Sequence, residues 1–382
     1  MVGIPTTGIS LLSHAPDLGP RLALYRLDRA SDREVEQLLD EGERALSILF
    51  GERDIILSES SGNLWLAQYI CNKVCATKEI FETQKDVIIV SVDLLAIRAR
   101  LMAELTPKYM PASKILAKGR KWRPGGNKPY LEVFLALAKV PDSVVTFDKI
   151  VSLVQERRRP GIKAVRGRIA EVIHNDRVDL RQQIAFEQES VFSIEDPLFR
   201  YFLTNLDTRL LLGELGIEPS DFERSSVHKY DVAFSFAGET RPLVEAANAE
   251  LKNEDVVTFY DFDQQAILLA ADLETVLKQV YAESCRYYLV FLDKHYRDKV
   301  WTKFEKDVMT RPGRRGHIIP VIVDDEGESG TVGISNMLGR LDLREEWRLL
   351  RNSGLTDEVR TGIRNKCVLP VLSKIDLVDT TS

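Results

Sequence analysis

The chain has 382 residues, of which 44% are hydrophobic and 29% charged, and its formal net charge is −6. These values are ordinary for a globular protein and allow two or three domains, each with its own core. The net charge gives no overall sign of nucleic-acid binding. No apolar run reaches the length of a membrane span and the N-terminus lacks a signal-peptide pattern, so we expect a cytoplasmic protein without a membrane partner.

The four cysteines are too far apart in sequence to indicate a disulfide scaffold: Cys71, Cys75, Cys285 and Cys367. Cys71 and Cys75 have helical spacing, but no pair of histidines lies near them. We therefore predict four reduced thiols and no metal site.

The amino-terminal third is predicted to be helical. Apolar side chains recur at helical spacing in residues 33–49, a capped helix is indicated over 61–71, and another is predicted over 87–105. Residues 107–129 are rich in Lys, Arg, Gly and Pro, which is typical of a linker or an exposed loop. The predicted divisions are a helical region over 1–112 and a basic linker over 113–129.

The next segment has the pattern of a winged-helix domain, predicted over 130–215. Three short helices are predicted over 130–137, 146–155 and 162–175. A two-stranded ribbon follows over 182–187 and 190–194, and a last helix over 197–206. The segments ESSGNLWLAQYICNK and FSIEDPLFRYFL resemble the helical lid and winged helix of AAA-like or STAND ATPases. No G-x-x-x-x-G-K-[ST] motif occurs, so ATPase activity is not predicted.

A winged helix also raises the hypothesis of nucleic-acid binding. Residues 157–168 are basic and lead into the expected recognition helix, and residues 114–128 are basic as well. In an ATPase-like context such a fold more often mediates protein contacts, and charge runs are usually solvated faces. Binding to phosphates would weaken steeply with salt and disappear when Arg157, Arg158 and Arg159 are neutralised.

Strand and helix alternate in the carboxyl-terminal part. Buried strands are predicted at the start of 230–241, over 256–261, 287–292 and 317–324, with a short fifth over 341–344, and helices over 243–252 and 273–284. Such alternation indicates a parallel sheet covered on both faces. Residues 351–382 are predicted as a helix over 357–366 and a tail, in which 368–378 is an extra strand or irregular.

Residues 229–350 resemble a TIR domain of the kind common in bacteria. The resemblance rests on YDVAFSFAGETR, FYD, the pair Asp272-Leu273, CRYYLVFLDKHYRDKVWTKFE and GRLDLR, in that order. It implies an α/β, flavodoxin-like fold with five parallel strands and helices on both faces.

Trp301 and Glu305 are four residues apart and so share one face of a predicted helix. From the spacing alone, a helix with its Trp packed inward and Glu305 in solvent is the simpler interpretation. The resemblance instead implies that Glu305 is the catalytic carboxylate of an NAD⁺-cleaving enzyme, with NAD⁺ as substrate and no cofactor. The implied products are nicotinamide and ADP-ribose, or a cyclic form.

The resemblance implies further substrate-binding residues: Ser235, Phe236, Ala237, Gly238, Asp261, Ser284 and Trp301. Each also has an ordinary structural interpretation. Gly238 permits close approach or a positive φ, but it also fits a plain strand exit. Trp301 could stack on a base or lie in the core, Ser284 could end a helix, and Asp261 could bind ribose or form a turn.

The chain departs from the family at Leu269-Ala270, where relatives often have Trp-Gly in a loop that gates the pocket and contacts neighbouring domains. Three hypotheses follow: an NAD⁺-cleaving effector of anti-phage defence, a non-catalytic TIR adaptor, and a nucleic-acid-binding regulator. The first is favoured, because an adaptor needs no carboxylate at Glu305. It implies self-association through TIR domains and an activating partner or ligand at the amino-terminal region.

Overall fold

The computed structural model describes residues 30–174, 178–194, 196–225, 228–260, 284–296, 317–329 and 339–377. These fall into two units. The first contains the described residues up to Ile115, with Leu137–Phe147 and Ile173–Leu211; the second contains Leu116–Ala136, Asp148–Val172 and the described chain from Leu212. Residues 130–215 contribute to both units, and the domain boundaries drawn from the sequence stay predictions.

The first unit begins with helices around a pair of short parallel strands. Its elements are α1 (Asp32–Leu46), β1 (Ile48–Phe50), α2 (Arg53–Ser60), α3 (Leu64–Thr77), β2 (Ile88–Val90) and α4 (Leu94–Lys118). The last three residues of α4 belong to the second unit. Ser31 and Glu34 form a capping box at the start of α1, which satisfies backbone N–H groups that a helix terminus leaves without partners.

Two predictions for this region are wrong. Residues 88–90 are a strand rather than the first turn of a helix, and Pro107 and Pro111 lie inside α4 rather than in a linker. The helix continues because its buried face, which includes Leu101 and Leu105, outweighs the cost of about 3 kcal/mol that an internal proline imposes. The predicted basic linker over 113–129 therefore begins within a helix.

The predicted ribbon is confirmed. Strands β3 (Val144–Thr146), β4 (Ala185–Glu187) and β5 (Val191–Ser193) form an antiparallel sheet in the order β3-β5-β4. The helices of this stretch are α5 (Pro129–Ala138), α6 (Phe147–Leu153), α7 (Arg159–His174), α8 (Val178–Arg181), α9 (Pro197–Asn205), α10 (Thr208–Leu215) and α11 (Pro219–Ser225).

The second unit is built on a parallel five-stranded sheet, as the sequence predicts. Its strands β6 (Tyr230–Ser235), β7 (Thr258–Phe259), β8 (Cys285–Leu292), β9 (Ile318–Ile322) and β10 (Leu341–Asp342) lie in the order β10-β9-β8-β6-β7. This is the flavodoxin-like order, with the switch in strand order between β6 and β8.

The apolar runs of β6 and β8 follow from burial on both sheet faces. Val232, Phe234 and Leu289 lie in one core cluster, which also includes residues of helix α12 (Arg241–Asn253). Ala233 and Tyr288 lie in a second cluster. Alternate residues of each strand therefore belong to different cores, and few polar positions remain.

The chain continues through α13 (Asp325–Ser329), α14 (Arg344–Ser353), α15 (Asp357–Ile363), a π turn and α16 (Leu369–Asp376). The prediction of a strand or irregular tail over 368–378 is therefore wrong. Val371, Leu372 and Ile375 have helical spacing and are buried in the core of the sheet. The apolar residues of 368–378 did not distinguish a helix from a strand by their spacing alone, and packing against that core stabilises the helix.

The amino edge of the sheet carries a buried carboxylate. Asp231 is 4% exposed and accepts hydrogen bonds from the backbone and side-chain N–H groups of Asn127, both at 3.0 Å, and from the Val257 N–H at 2.9 Å. Burial raises the pKa of Asp231, and these donors act in the opposite direction. Arg286 of β8 also donates to the Gly125 carbonyl oxygen. Residues 125–127 are thus fixed to the sheet rather than forming a free linker.

Two acidic residues that follow α12 bind basic side chains of the same unit. Glu254 lies 3.0 Å from Arg123 and 3.3 Å from Lys121. Asp255 lies 3.0 Å from Arg168 of α7. Both carboxylates are at least nine-tenths buried, so the basic segment is held by charges as well as by hydrogen bonds.

Within the described ranges, no helix combines the length and the apolar character needed to cross a membrane.

Glu254 should make the stability of the second unit sensitive to acid. Burial raises its pKa, but Arg364 at 2.6 Å and Lys121 outweigh this effect, so the pKa lies below the usual 4.5. The ionised form of Glu254 stabilises the fold at pH values above the usual pKa, and this contribution is lost as the pH falls through the lower pKa of the folded state. We expect Glu254→Gln to lower the free energy of unfolding at pH 7 by about 2 kcal/mol in urea denaturation, and to flatten its dependence on acid pH.

The matched control is Glu345→Gln. Glu345 pairs with Lys366 at 2.8 Å, but its side chain is 68% exposed, so this change should leave the unfolding midpoint nearly unaltered. Equal losses in the two variants would contradict a special role for Glu254.

Candidate active site

The carboxyl edge of the five-stranded sheet is the candidate site, because open α/β sheets bind ligands in the crevice beyond this edge. Strands β6 and β8 are central and parallel, with Ser235 beside Val290. The residues that follow β6, β7 and β8 therefore meet at this edge. They include three of the predicted site residues: Phe236, Ala237 and Gly238.

Ser235 is held by the loop that follows β8. Its Oγ and the Tyr296 Oη share a hydrogen bond of 2.8 Å, and both residues are buried. Tyr296 in turn donates its backbone N–H to Asp293 Oδ1 at 2.7 Å. The end of β6 and the loop after β8 are thereby joined by a continuous chain of hydrogen bonds.

Asp293 is a buried carboxyl group at the same edge. Burial raises its pKa, the Tyr296 N–H acts against this, and the nearby Asp324 and Glu239 carboxylates raise the pKa further. Asp324 itself accepts N–H groups from Lys294 at 3.1 Å and Gly327 at 2.6 Å. The edge is therefore acidic beside β8 and β9, which favours groups that carry or develop positive charge.

An aromatic and cationic wall stands on the other side of β6. The rings of Phe236 and Tyr260 are stacked, with centroids 5.9 Å apart and planes at 22°. The Arg241 guanidinium lies 5.1 Å from the Phe236 centroid and donates to the Tyr260 Oη at 2.9 Å. Tyr260 donates to Glu245 at 3.0 Å, and burial with this hydrogen bond raises the pKa of Tyr260 to about 12. Tyr260 is therefore neutral at pH 7, while Arg241 supplies a fixed positive charge.

Ala237 and Gly238 form the turn between β6 and α12. Ala237 is fully buried, and its carbonyl oxygen accepts the Thr240 hydroxyl at 2.8 Å. Gly238 is exposed and its φ is not positive, so the positive-φ interpretation of this glycine is wrong. A Cβ at Gly238 would meet no atom within 4 Å in the described structure. The open space fits the alternative that the backbone allows close approach by a ligand.

Ser284 is not brought to this edge. It immediately precedes β8, and the register pairs Cys285 with Tyr230 at the start of β6. Ser235 lies at the other end of the same strand pair, about 17–20 Å away at the usual rise per residue. The expectation that Ser284 and Ser235 line one pocket does not fit this strand direction.

The remaining predicted site residues lie outside the described ranges. They are Asp261, Trp301 and Glu305, and the altered Leu269-Ala270 pair is outside as well. Their roles stay predictions.

The structure adds site residues that sequence reasoning did not single out: Arg241, Tyr260, Asp293, Tyr296 and Asp324. Two of them could have been found from a simple rule. Tyr260 and Asp293 each directly follow a strand, and the residues after parallel strands collect at the ligand-binding edge.

The sequence comparisons agree with this architecture. A family model described as a TIR domain matches residues 232–350. Residues 232–350 form a TIR domain. Across 119 residues the chain is 35% identical to the 3′ cyclic ADP-D-ribose synthase AaTIR of Aquimarina amphilecti. That match covers 30% of this chain and 36% of the relative, so the chain spans about a third of the relative's length. No solved structure gives a significant match.

The hydrogen bond between Ser235 and Tyr296 should couple the two residues energetically. We expect Ser235→Ala and Tyr296→Phe each to destabilise the TIR domain, and the double variant to lose about 1 kcal/mol less than the sum. Urea denaturation of the four proteins measures this coupling. Strictly additive losses would mean that the bond contributes nothing to stability.

Proposed function

We propose that the chain cleaves NAD⁺ at the bond between nicotinamide and ribose, with Glu305 as the catalytic carboxylate. The observation that carries the proposal is the TIR domain over 232–350, which is similar to a protein named as a cyclic ADP-ribose synthase. In sequence, Glu305 follows β8 and lies four residues after Trp301, at the position where the family has its catalytic glutamate.

The chemistry explains why one carboxylate is sufficient. A glycosidase usually needs an acid to protonate the leaving group and a second carboxylate on the other face of the sugar. Nicotinamide leaves as a neutral molecule from a cationic ring, so no general acid is required. A fixed anion then stabilises the oxocarbenium-like ribose. NAD⁺ is the substrate, and the reaction needs no cofactor.

The described residues at the carboxyl edge supply binding groups that suit NAD⁺. The partly exposed Phe236 ring, which stacks on the buried Tyr260, offers an aromatic surface for a base, and Arg241 offers a positive charge for a pyrophosphate. The exposed Gly238 leaves room for the nucleotide to approach the backbone. The acidic side, with Asp293 and Asp324, is compatible with a cationic nicotinamide ring.

The product depends on what captures the ribosyl cation. Water yields ADP-ribose, whereas a nucleophile within the same nucleotide yields a cyclic product. The relative's name supports the cyclic outcome, and the two products differ in mass by one water molecule. Mass spectrometry of the reaction mixture therefore separates a hydrolase from a cyclase.

The cellular role follows from the same proposal. NAD⁺ depletion would occur when TIR domains self-associate in the cytoplasm during phage infection, and a partner or ligand at the amino-terminal region would act as the trigger. The winged-helix and ATPase-lid interpretations of that region belong to this proposal. The antiparallel strands β4 and β5 and the helix α9 follow α5, α6 and α7 in sequence, which is the order that the winged-helix interpretation requires.

The described contacts of Arg123, Arg158 and Arg168 count against a role for these three side chains in nucleic-acid binding. Arg158 pairs with Glu132 at 2.7 Å and with Glu223 at 3.0 Å. Arg168 and Arg123 pair with Asp255 and Glu254. Basic side chains that are already neutralised inside the protein have little charge left to displace counterions from a phosphate backbone.

The test is NAD⁺ consumption by the full chain, in bacteria and as purified protein, beside Glu305→Gln. This change keeps the shape of the side chain but removes its charge, so we expect NAD⁺ cleavage to fall by about 10²–10³-fold. Glu345→Gln, an exposed carboxylate on α14, is the control and should retain full activity.

Each outcome has a clear meaning. Unchanged cleavage in Glu305→Gln would remove this residue from the mechanism. Absence of cleavage under every condition, including phage infection, would favour the adaptor hypothesis instead.

A further inference from the structure

Among the described residues of the first unit, strand β2 is an edge strand without a neighbour on its outer side. Ile88 donates its N–H to Ser47, and Val90 accepts from Gly51, so the backbone groups of Ile88 and Val90 point towards β1. Those of Val87, Ile89 and Ser91 point the other way, because alternate residues of a strand face opposite sides. In the described part of the chain, β2 pairs only with β1.

The side chains at this edge are apolar and exposed. Ile89 is 77% exposed, Val87 65% and Leu49, which lies beside Ile89 on β1, 47%. Exposed edges normally carry charges, prolines or bulges that prevent pairing with another chain. Residues 87–90 contain none of these, since they read Val-Ile-Ile-Val. Parallel sheets are also normally covered on both faces, and no described element covers the face that carries Leu49 and Ile89.

The other edge of this small sheet is closed. The N–H of Phe50 on β1 donates to the buried Glu43 carboxylate at 2.7 Å. In the described part of the chain, the edge of β1 is thus closed and the edge of β2 is the one that can accept another strand. One added strand pair would end the sheet, which favours a closed dimer over an open fibre.

We propose that β2 pairs with β2 of a second copy of this chain, antiparallel about a twofold axis at Ile89. The resulting four-stranded sheet has the order β1-β2-β2-β1. In this register, Val87 lies opposite Ser91 of the second copy, and all three outward-pointing residues form hydrogen-bonded pairs.

The charges that flank β2 favour a second copy of the chain as its partner, and they favour the antiparallel register. Lys85 and Asp93 are exposed and lie four residues before and after Ile89. Antiparallel pairing about Ile89 therefore brings Lys85 and the partner's Asp93 to matching positions, each three residues beyond an end of β2. A parallel pairing would place like charges together, which is unfavourable for directly opposed residues. Asp93 also accepts the Ala96 N–H at 3.1 Å, which holds it at the start of α4.

This surface is separate from the TIR domain, and the inference does not depend on NAD⁺ cleavage. Any self-association of the TIR domain must be distinguished from it, so the main test is a position-specific cross-link in the full chain. In a hydrogen-bonded antiparallel pair the two Cα atoms are about 5.5 Å apart, within the range that a disulfide spans. Ile89→Cys should therefore form a covalent dimer on mild oxidation that a reductant reverses.

The control is Leu95→Cys, because Leu95 is also 77% exposed but lies on α4. It should remain largely uncross-linked under the same conditions. A mixture of Val87→Cys and Ser91→Cys should cross-link, whereas each alone should not, and this distinguishes the antiparallel register from a parallel one. Equal cross-linking of Ile89→Cys and Leu95→Cys would overturn the proposal.

A second measurement uses sedimentation of proteins without new cysteines. Ile89→Lys places a charge at the twofold axis, directly opposite its own copy, and should weaken dimerisation by about tenfold or more. Leu95→Lys should not, and circular dichroism verifies that both variants are folded. A wild-type chain that stays monomeric at about 100 µM, or a dimer unaffected by Ile89→Lys, would also overturn the proposal.

Discussion

The second unit depends on the hydrogen bonds of one buried carboxylate, Asp231. A polar group that is buried without hydrogen-bond partners costs about 1–3 kcal/mol, so the donors to Asp231 must be in place when the unit folds. Here they come from the Asn127 backbone and side chain and from the Val257 backbone, which lie far apart in sequence. The same contacts close the amino edge of the sheet. The carboxyl edge is left as the place where a ligand can approach the strand ends, and the candidate site lies there.

The sequence was sufficient for the strands of the TIR domain, because burial on both faces imposes unbroken apolar runs such as 287–292, which a half-exposed strand would interrupt with polar residues. It was insufficient where tertiary packing overrode local signals. Pro107 and Pro111 indicate the end of a helix, yet α4 continues through both. The segment 113–129 has the composition of a linker, but its Asn127 is hydrogen-bonded to Asp231 and its Arg123 is ion-paired with Glu254. Nothing in the local sequence identifies those partners.

For the candidate site, the direction of the strands was the decisive information. Ser235 ends an apolar run and Ser284 precedes one, so parallel strands place them at opposite edges of the sheet. Their placement at opposite edges could have been deduced from the order of strand and serine in the sequence. The expectation that both serines line one pocket came from the resemblance alone. The Phe236–Tyr260–Arg241 wall could not have been deduced in the same way. It depends on the orientations of three side chains from the ends of β6 and β7 and the start of α12, which no pattern encodes.

The same physical rule accounts for both parallel sheets of the chain. A parallel sheet is stable when both faces are covered, and the central strands of the five-stranded sheet are buried on both faces. In the described structure, the β1–β2 pair has Ile48, Phe50 and Val90 buried on one face and Leu49 and Ile89 exposed on the other. The Glu43 carboxylate closes the outer edge of β1, and no described strand pairs with the outer edge of β2. A sheet with one closed edge and one open edge can be completed by a second copy of the chain, which pairs at the open edge about a twofold axis.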